Sequence, residues 1–331
     1  MIPLVEIDDL SVDIVQGRGA NTKVLPILRH IDLSVEEGRV LGIVGESGCG
    51  KTMTVLALMG LLPEGGRISG GRIRFRGRDI TGLSRQEMEN IRGKRIAMIF
   101  QEPRGSLNPL LSIGAQMREI LYYHEGIKGK ANKEKCIFLL RTVNISEPEK
   151  VYDYYPFKLS GGMCQRVMIA MALACEPELI IADEPTTALD VTTQAQILDL
   201  FNEIRGRIRS SFIFVTHDLG VIAEIADRTA VIYAGYVVEE SSAAALFGRP
   251  LHPYTDGLMR SRLGRRNSNR ENLYSIPGVV PVSGNMPSGC PFTPRCAYTT
   301  EQCRREIPPL AVPLSQEIES GHKVRCWRQV P

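Results

Sequence analysis

One stretch, "RVLGIVGESGCGKTMTVLALMGLL" (residues 39–62), leaves this chain few folds to choose from. "VLGIVG" is apolar on both faces, as a strand at the centre of a parallel sheet must be. A glycine-rich turn follows, and then an apolar helix expected over residues 51–62. Strand, glycine turn and helix in that order mean an α/β layer structure. "GESGCGKT" (residues 45–52) also fits G-x-x-x-x-G-K-[ST]. Glycines let backbone N–H groups close around phosphate oxygens, and the helix N-terminus adds the positive end of its dipole. Gly45, Glu46, Ser47, Gly48, Cys49, Gly50, Lys51 and Thr52 are thus the candidate nucleotide cradle. Lys51 would reach the β- and γ-phosphates, and Thr52 would offer its hydroxyl to Mg²⁺.

A second buried strand, "LIIADE" (residues 179–184), ends in two acids. Two carboxylates closing a buried strand are costly unless a metal or ligand uses them. Asp183 would hold Mg²⁺, and Glu184 would polarise an attacking water. These pieces predict a nucleoside triphosphatase. Alternation over residues 4–14 reads as strand, as do "HIDLSV", "RIRFRGRDI", "RIAMIF", "SFIFVTHD" and "RTAVIYAGYVVEE". Between residues 102 and 174 the pattern turns helical; Cys136, Leu139, Leu140 and Val143 fall on one face. The expected organisation is an α/β domain over residues 1–250 with a helical insert at about 102–174. Residues 261–272 are polar and basic, and residues 251–331 form a Pro- and Cys-rich extension.

A net charge of +3 on 331 residues gives no sign of a nucleic-acid partner. The longest apolar run, "MTVLALMGLL", is ten residues, half of a membrane span. The start of the sequence lacks a secretion signal, so a reducing compartment is expected, where disulfides are rare.

"LSGGMCQ" (residues 159–165) resembles the signature of the ABC ATPases. Other family pieces stand in order: Gln101 after "RIAMIF", "ALD" at residues 188–190, and His217 after "IFVT". The resemblance covers about residues 4–250. It implies the ABC-ATPase variant of the P-loop NTPase fold, with a RecA-like core sheet, an N-terminal antiparallel β subdomain and a helical signature subdomain. It also implies two such domains facing head to tail, with ATP between one phosphate loop and the other's signature. Ser160, Gly161, Gly162 and Asp190 would then meet nucleotide on the partner. His217 would contact the γ-phosphate, and Gln101 would touch Mg²⁺ or water. The family places an aromatic on adenine near its first strands. Here no Phe, Tyr or Trp precedes Phe75, and Ile14 or a neighbouring aliphatic is the substitute. Cys164 stands where related transporters often carry Arg or Gln; a helix start can lower a thiol pKa, but a tolerated substitution is expected rather than a redox role. Cys49 is expected to point away from the phosphates, and Cys136 and Cys175 to be small buried hydrophobes.

"FQEPRGSLNPLLSIGAQ" (residues 100–116), "HPYT" (252–255), "IPGVVP" and "GCPFTPRC" resemble the dipeptide, oligopeptide and nickel importers, and specifically their D-type ATPase subunit. The resemblance implies a paralogous ATPase partner, two transmembrane permeases and an extracytoplasmic solute-binding protein. It places the chain peripherally on the cytoplasmic membrane face, with residues 101–113 receiving a permease helix. Alternatives are import of nickel or other small solutes, or a soluble ABC ATPase outside transport. Cys290, Cys296, Cys303 and Cys326 are spaced x5, x6 and x22. Four thiolates suit Zn²⁺ or an iron–sulfur cluster, and relatives in this branch imply a [4Fe–4S] cluster. Some staple is needed in any case, because this tail has few apolar residues to bury. His322 is expected to be exposed.

Overall fold

Residues 3–17, 19, 22–187, 189–263, 274–313 and 321–329 are described in a computed structural model. Ala188 and residues 264–272 of the polar segment lie outside this set. The chain divides into two compact units. One comprises Met1–Glu36, Val40–Gly82 and Thr216–Pro331; the other comprises Glu37–Arg39 and Leu83–Val215.

In the first unit, Val5–Gln16 and Lys23–Val35 form an antiparallel pair, extended by Gly66–Phe75 and Arg78–Asp79. Inward residues alternate as the sequence pattern requires; Leu10, Val12, Leu28, Ile31 and Ile73 are almost fully buried. The same unit holds Val40–Val44, buried at all five positions. This strand runs parallel to Arg228–Tyr233, which pairs antiparallel with Tyr236–Ser242. The sequence pattern does not anticipate one further strand: Lys323–Val324 pairs antiparallel with Glu239 and Glu240, so the tail supplies the edge. The first helix is Lys51–Leu58, shorter than expected. Gly60 takes a left-handed conformation and Pro63 follows, and neither continues a helix.

The second unit carries the parallel strands Ile96–Ile99, Leu179–Asp183 and Ser211–Thr216. Its helices include Ile113–Glu125, Gly129–Thr142, Gly161–Leu173 and Val191–Arg207. Among the described residues no helix is long and apolar enough to cross a membrane.

Candidate functional site

The phosphate loop joins Val40–Val44 to Lys51–Leu58. A Cβ on Gly45 would sit 2.2 Å from the Ile232 carbonyl oxygen, so the strand beside the loop admits only glycine there. Gly50 starts the helix in a left-handed conformation with no side-chain cap. A glycine at this place brings no side chain to the helix start, where an anion site would lie. Lys51 is buried, and its Nζ donates to the carbonyls of Gly45 (2.9 Å) and Glu46 (3.1 Å). Cys49 is buried beneath the loop, and burial pushes its thiol pKa up.

Two partners of this loop come from far along the chain. The Tyr254 hydroxyl accepts the Glu46 N–H at 2.8 Å. The Arg295 guanidinium grips the Glu46 carboxylate with two bonds of 2.6 and 3.1 Å. Tyr254 belongs to "HPYT", whose match to relatives could have drawn attention to it. Nothing local in the sequence marks Arg295. His217 is exposed just after Ser211–Thr216, and Asp218 beside it caps Leu219–Ile225 through Gly220 N–H at 2.6 Å.

In the second unit, Asp183 ends Leu179–Asp183 with 3% exposure. Glu184 follows in a left-handed conformation (φ 47°). Such a backbone costs a non-glycine residue about 1 kcal/mol or more and tends to persist where function holds it. Its N–H donates to Val215 O at 2.8 Å. One carboxylate oxygen, Oε2, accepts from Gln101 Nε2 (3.2 Å) and Thr187 Oγ1 (2.8 Å). Gln101 and Glu184 are thus brought together, with Thr187 as an unanticipated third member.

Ser160 caps Gly161–Leu173, accepting Met163 N–H at 3.2 Å. A Cβ on Gly162 would lie 2.7 Å from Thr193 Cγ2. Thr193 in turn bonds Asp190, the cap of Val191–Arg207, through its N–H (2.9 Å) and hydroxyl (2.7 Å). Those two bonds hold the Asp190 carboxyl below its usual range. The signature turn and Asp190 are therefore one packed feature. Cys164 is fully buried, and burial outweighs the helix terminus and raises its pKa. Cys136 is fully buried as expected, whereas Cys175 is only half-buried.

Comparison with known proteins accounts for this set of motifs. The family profile "ABC transporter" matches residues 28–187, and "Oligopeptide/dipeptide transporter, C-terminal region" matches residues 238–303. The dipeptide transport ATP-binding protein DppD of Escherichia coli is 45% identical, over 98% of this chain and 96% of its own length. The oligopeptide transport ATP-binding protein AppD of Bacillus subtilis is 44% identical, over 92% of this chain and 91% of its own. The chain belongs to the ABC transporter family, in its oligopeptide and dipeptide branch. It is an ATPase of that family. Among solved structures, the dimeric post-hydrolysis state of the ATP-binding cassette MJ0796, bound to ADP and Pi, superposes with a TM-score of 0.63. The identity is 26%, covering 72% of this chain and 98% of that one.

The oligopeptide-branch tail is organised around its cysteines. Cys290, Cys296, Cys303 and Cys326 line one cavity, together with Phe292, Pro308 and Trp327. Each thiol has a polar neighbour. Tyr298 N–H lies 3.4 Å from Cys296 Sγ, and Thr300 Oγ1 lies 3.2 Å from Cys303 Sγ. Backbone groups of Phe292 and Arg328 face Cys290 and Cys326. Burial, and then the neighbouring thiols, push Cys290 up to about 11, against the lowering effect of Phe292. Among the described residues no group of three His, Cys, Asp or Glu is placed to hold a single metal ion. The tail is anchored by Glu239, which is fully buried. Its carboxylate accepts from Leu251 N–H (2.7 Å), His252 N–H (2.9 Å) and His322 Nε2 (2.7 Å). His322 is therefore buried rather than exposed: a fully buried carboxylate needs its donor.

Residues 101–113 form a braced, outward-facing segment in the second unit. Leu110 is 82% exposed and Leu111 is exposed beside it. Gln116 fixes the turn, accepting Asn108 N–H (2.9 Å) and donating to the carbonyls of Asn108 and Leu111 (3.1 Å each). Ile113 N–H donates to Tyr154 O, close in sequence to the exposed, stacked Tyr155 and Phe157.

Proposed function

We propose that this ABC ATPase energises a membrane importer of di- and oligopeptides. The observation that carries the reading is the near end-to-end likeness to DppD, named a dipeptide transport protein, tail included. Residues 45–52 bind the phosphates of ATP. Thr52, Gln101 and Asp183 hold Mg²⁺, a hard cation suited to their oxygen donors. Glu184 acts as base toward the attacking water, and His217 contacts the γ-phosphate. Ser160, Gly161, Gly162 and Asp190 meet the nucleotide of a second, paralogous ATPase subunit. Catalysis is then positioning and charge stabilisation, without a covalent enzyme intermediate. The exposed Leu110 and Leu111 on their braced turn suit a helix of either of two transmembrane permeases. An extracytoplasmic binding protein delivers solute, and the chain lies peripherally on the cytoplasmic face.

The four cysteines hold a [4Fe–4S] cluster in this reading. Support comes from four thiols around one cavity, with N–H and hydroxyl groups beside them of the kind that tune cluster thiolates. Iron and acid-labile sulfide at about four each per chain, after anaerobic purification, are expected; zinc alone would replace this assignment. The function is tested by uptake of a labelled dipeptide into vesicles holding the co-purified complex. Uptake is expected to need ATP and to be competed by unlabelled peptides. Competition by nickel complexes and not by peptides would overturn the substrate class.

A further inference from the structure

Glu46 is an oddity in a loop built to receive a polyphosphate. It carries a carboxylate into the stretch whose glycines and lysine are expected to take up phosphates, and like charges repel across short distances. In this chain the carboxylate is neutralised from a distance of 249 residues along the sequence. Arg295 Nη1 donates to Glu46 Oε2 at 2.6 Å and Nη2 to Oε1 at 3.1 Å, a bidentate pair.

Arg295 is itself locked. Its Nε donates to Pro277 O at 2.7 Å, Nη2 also donates to Ile276 O at 3.2 Å, and its side chain is only 3% exposed. The guanidinium lies 5.8 Å from the ring centre of Tyr233. It ends a short turn, Thr293–Arg295, between Cys290 and Cys296. That turn is fixed by Thr293 N–H to Cys290 O (3.0 Å) and Thr293 Oγ1 to Cys303 O (3.1 Å). The guanidinium is thus a rigid post planted in the cysteine-lined tail, with its outer face on the phosphate loop.

We propose that Arg295 is a positioning residue for ATP binding: by neutralising and pinning Glu46, it makes the phosphate loop's affinity for polyphosphate depend on the cysteine-bearing tail. The proposal rests on nucleotide binding by residues 45–52 and needs no particular group on the cysteines. Its test is a double-mutant cycle on the full chain, reading affinity for ATP and for adenosine by displacement of a fluorescent nucleotide. Arg295→Met is expected to weaken ATP about tenfold, and adenosine less than about twofold, because only the phosphates feel the bared carboxylate. In the Glu46→Gln background the same Arg295→Met change is expected to cost ATP less than about twofold. Equal losses in both backgrounds, equal losses of ATP and adenosine, or no loss at all would overturn the proposal. Should Arg295→Met fail to fold, Arg295→Lys runs through the same cycle. It keeps the charge but not the two-pronged grip, so an ATP loss of about threefold is expected, and it is expected to vanish with Glu46→Gln. A folded Arg295→Lys chain showing the same loss in both backgrounds would also overturn the proposal.

Discussion

The phosphate loop and the Glu184 carboxylate are held in different ways. Around Glu184 much of the holding is near at hand. Thr187 lies three residues on and bonds it at 2.8 Å, and the backbone is bent into a left-handed conformation; Gln101 reaches it from afar, 83 residues earlier. The phosphate loop is held from the far end of the chain, by Tyr254 and Arg295, 208 and 249 residues beyond Glu46. A locally held group can be altered without disturbing its frame. A group held from a distance inherits whatever happens to the distant segment. The first kind should show sharp chemical defects, the second graded affinity defects.

Glu184→Gln is the sharpest test. The amide keeps the shape and an oxygen that can accept from Thr187 and Gln101, but it cannot take a proton. Turnover is expected to fall about 100-fold or more with ATP binding retained, the usual scale for losing a general base. Phosphate release and bound-nucleotide measurements on one preparation check this. Turnover close to that of the unaltered chain would remove Glu184 from the base role.

The next effect concerns the distant anchor of the loop. His252 is fully buried, and burial lowers its pKa to about 4 from 6.5. Glu239, beside it, pulls the other way, while Arg325 adds to the lowering. The folded state therefore holds His252 neutral. That contribution is intact above pH 6.5, and it is lost as pH falls from 6.5 toward 4, where the unfolded chain takes up the proton first. The lost stability is about 3 kcal/mol. His252 Nδ1 accepts Tyr254 N–H at 3.0 Å ahead of Pro253–Leu263, a role asparagine also fills well. His252→Asn is expected to keep the fold at pH 7 and to flatten the decline in urea midpoint between pH 7 and 4.5. An unchanged decline would place the pH sensitivity elsewhere.

The signature turn offers an intermediate effect. Gly162→Ala pushes a methyl against Thr193 Cγ2, and overpacking of this kind costs about 1–3 kcal/mol. Thr193→Ser removes that Cγ2 while keeping a hydroxyl for Asp190. The double variant is expected to recover most of the thermal stability that Gly162→Ala loses. If it recovers none, the contact is not the reason for the glycine.

Much of the candidate nucleotide site is legible in the sequence alone, for a physical reason. Residues 45–52, 159–165 and 179–184 announce themselves because their chemistry is packed into consecutive positions, and strand or helix periodicity flanks each one. What the sequence hides depends on the return of the chain. Lys323–Val324 is two residues long, too short for alternation to show. His322 reads as a lone surface histidine, because its partner Glu239 lies 83 residues away in an apolar strand. The two acids in "YVVEESS" are the available hint, since carboxylates there must find donors. Helix position alone suggests a lowered pKa for Cys164, whereas its burial decides the direction. Arg295, between two cysteines, is overshadowed by them.

The smallest effect bears most directly on the contrast between near and distant holding. Tyr254→Phe removes one oxygen, the acceptor of Glu46 N–H, and leaves the ring packed 4.6 Å from Tyr233 and 5.6 Å from Phe292. A lost neutral hydrogen bond is worth about 1 kcal/mol, which corresponds to about fivefold in ATP affinity if the loop bears the whole loss. Because the ring stays, thermal stability should move little, so affinity and stability separate. A drop in melting temperature with unchanged affinity would mean that Tyr254 props the aromatic cluster and not the loop. The distant control of the phosphate loop would then reduce to the Arg295 pair alone.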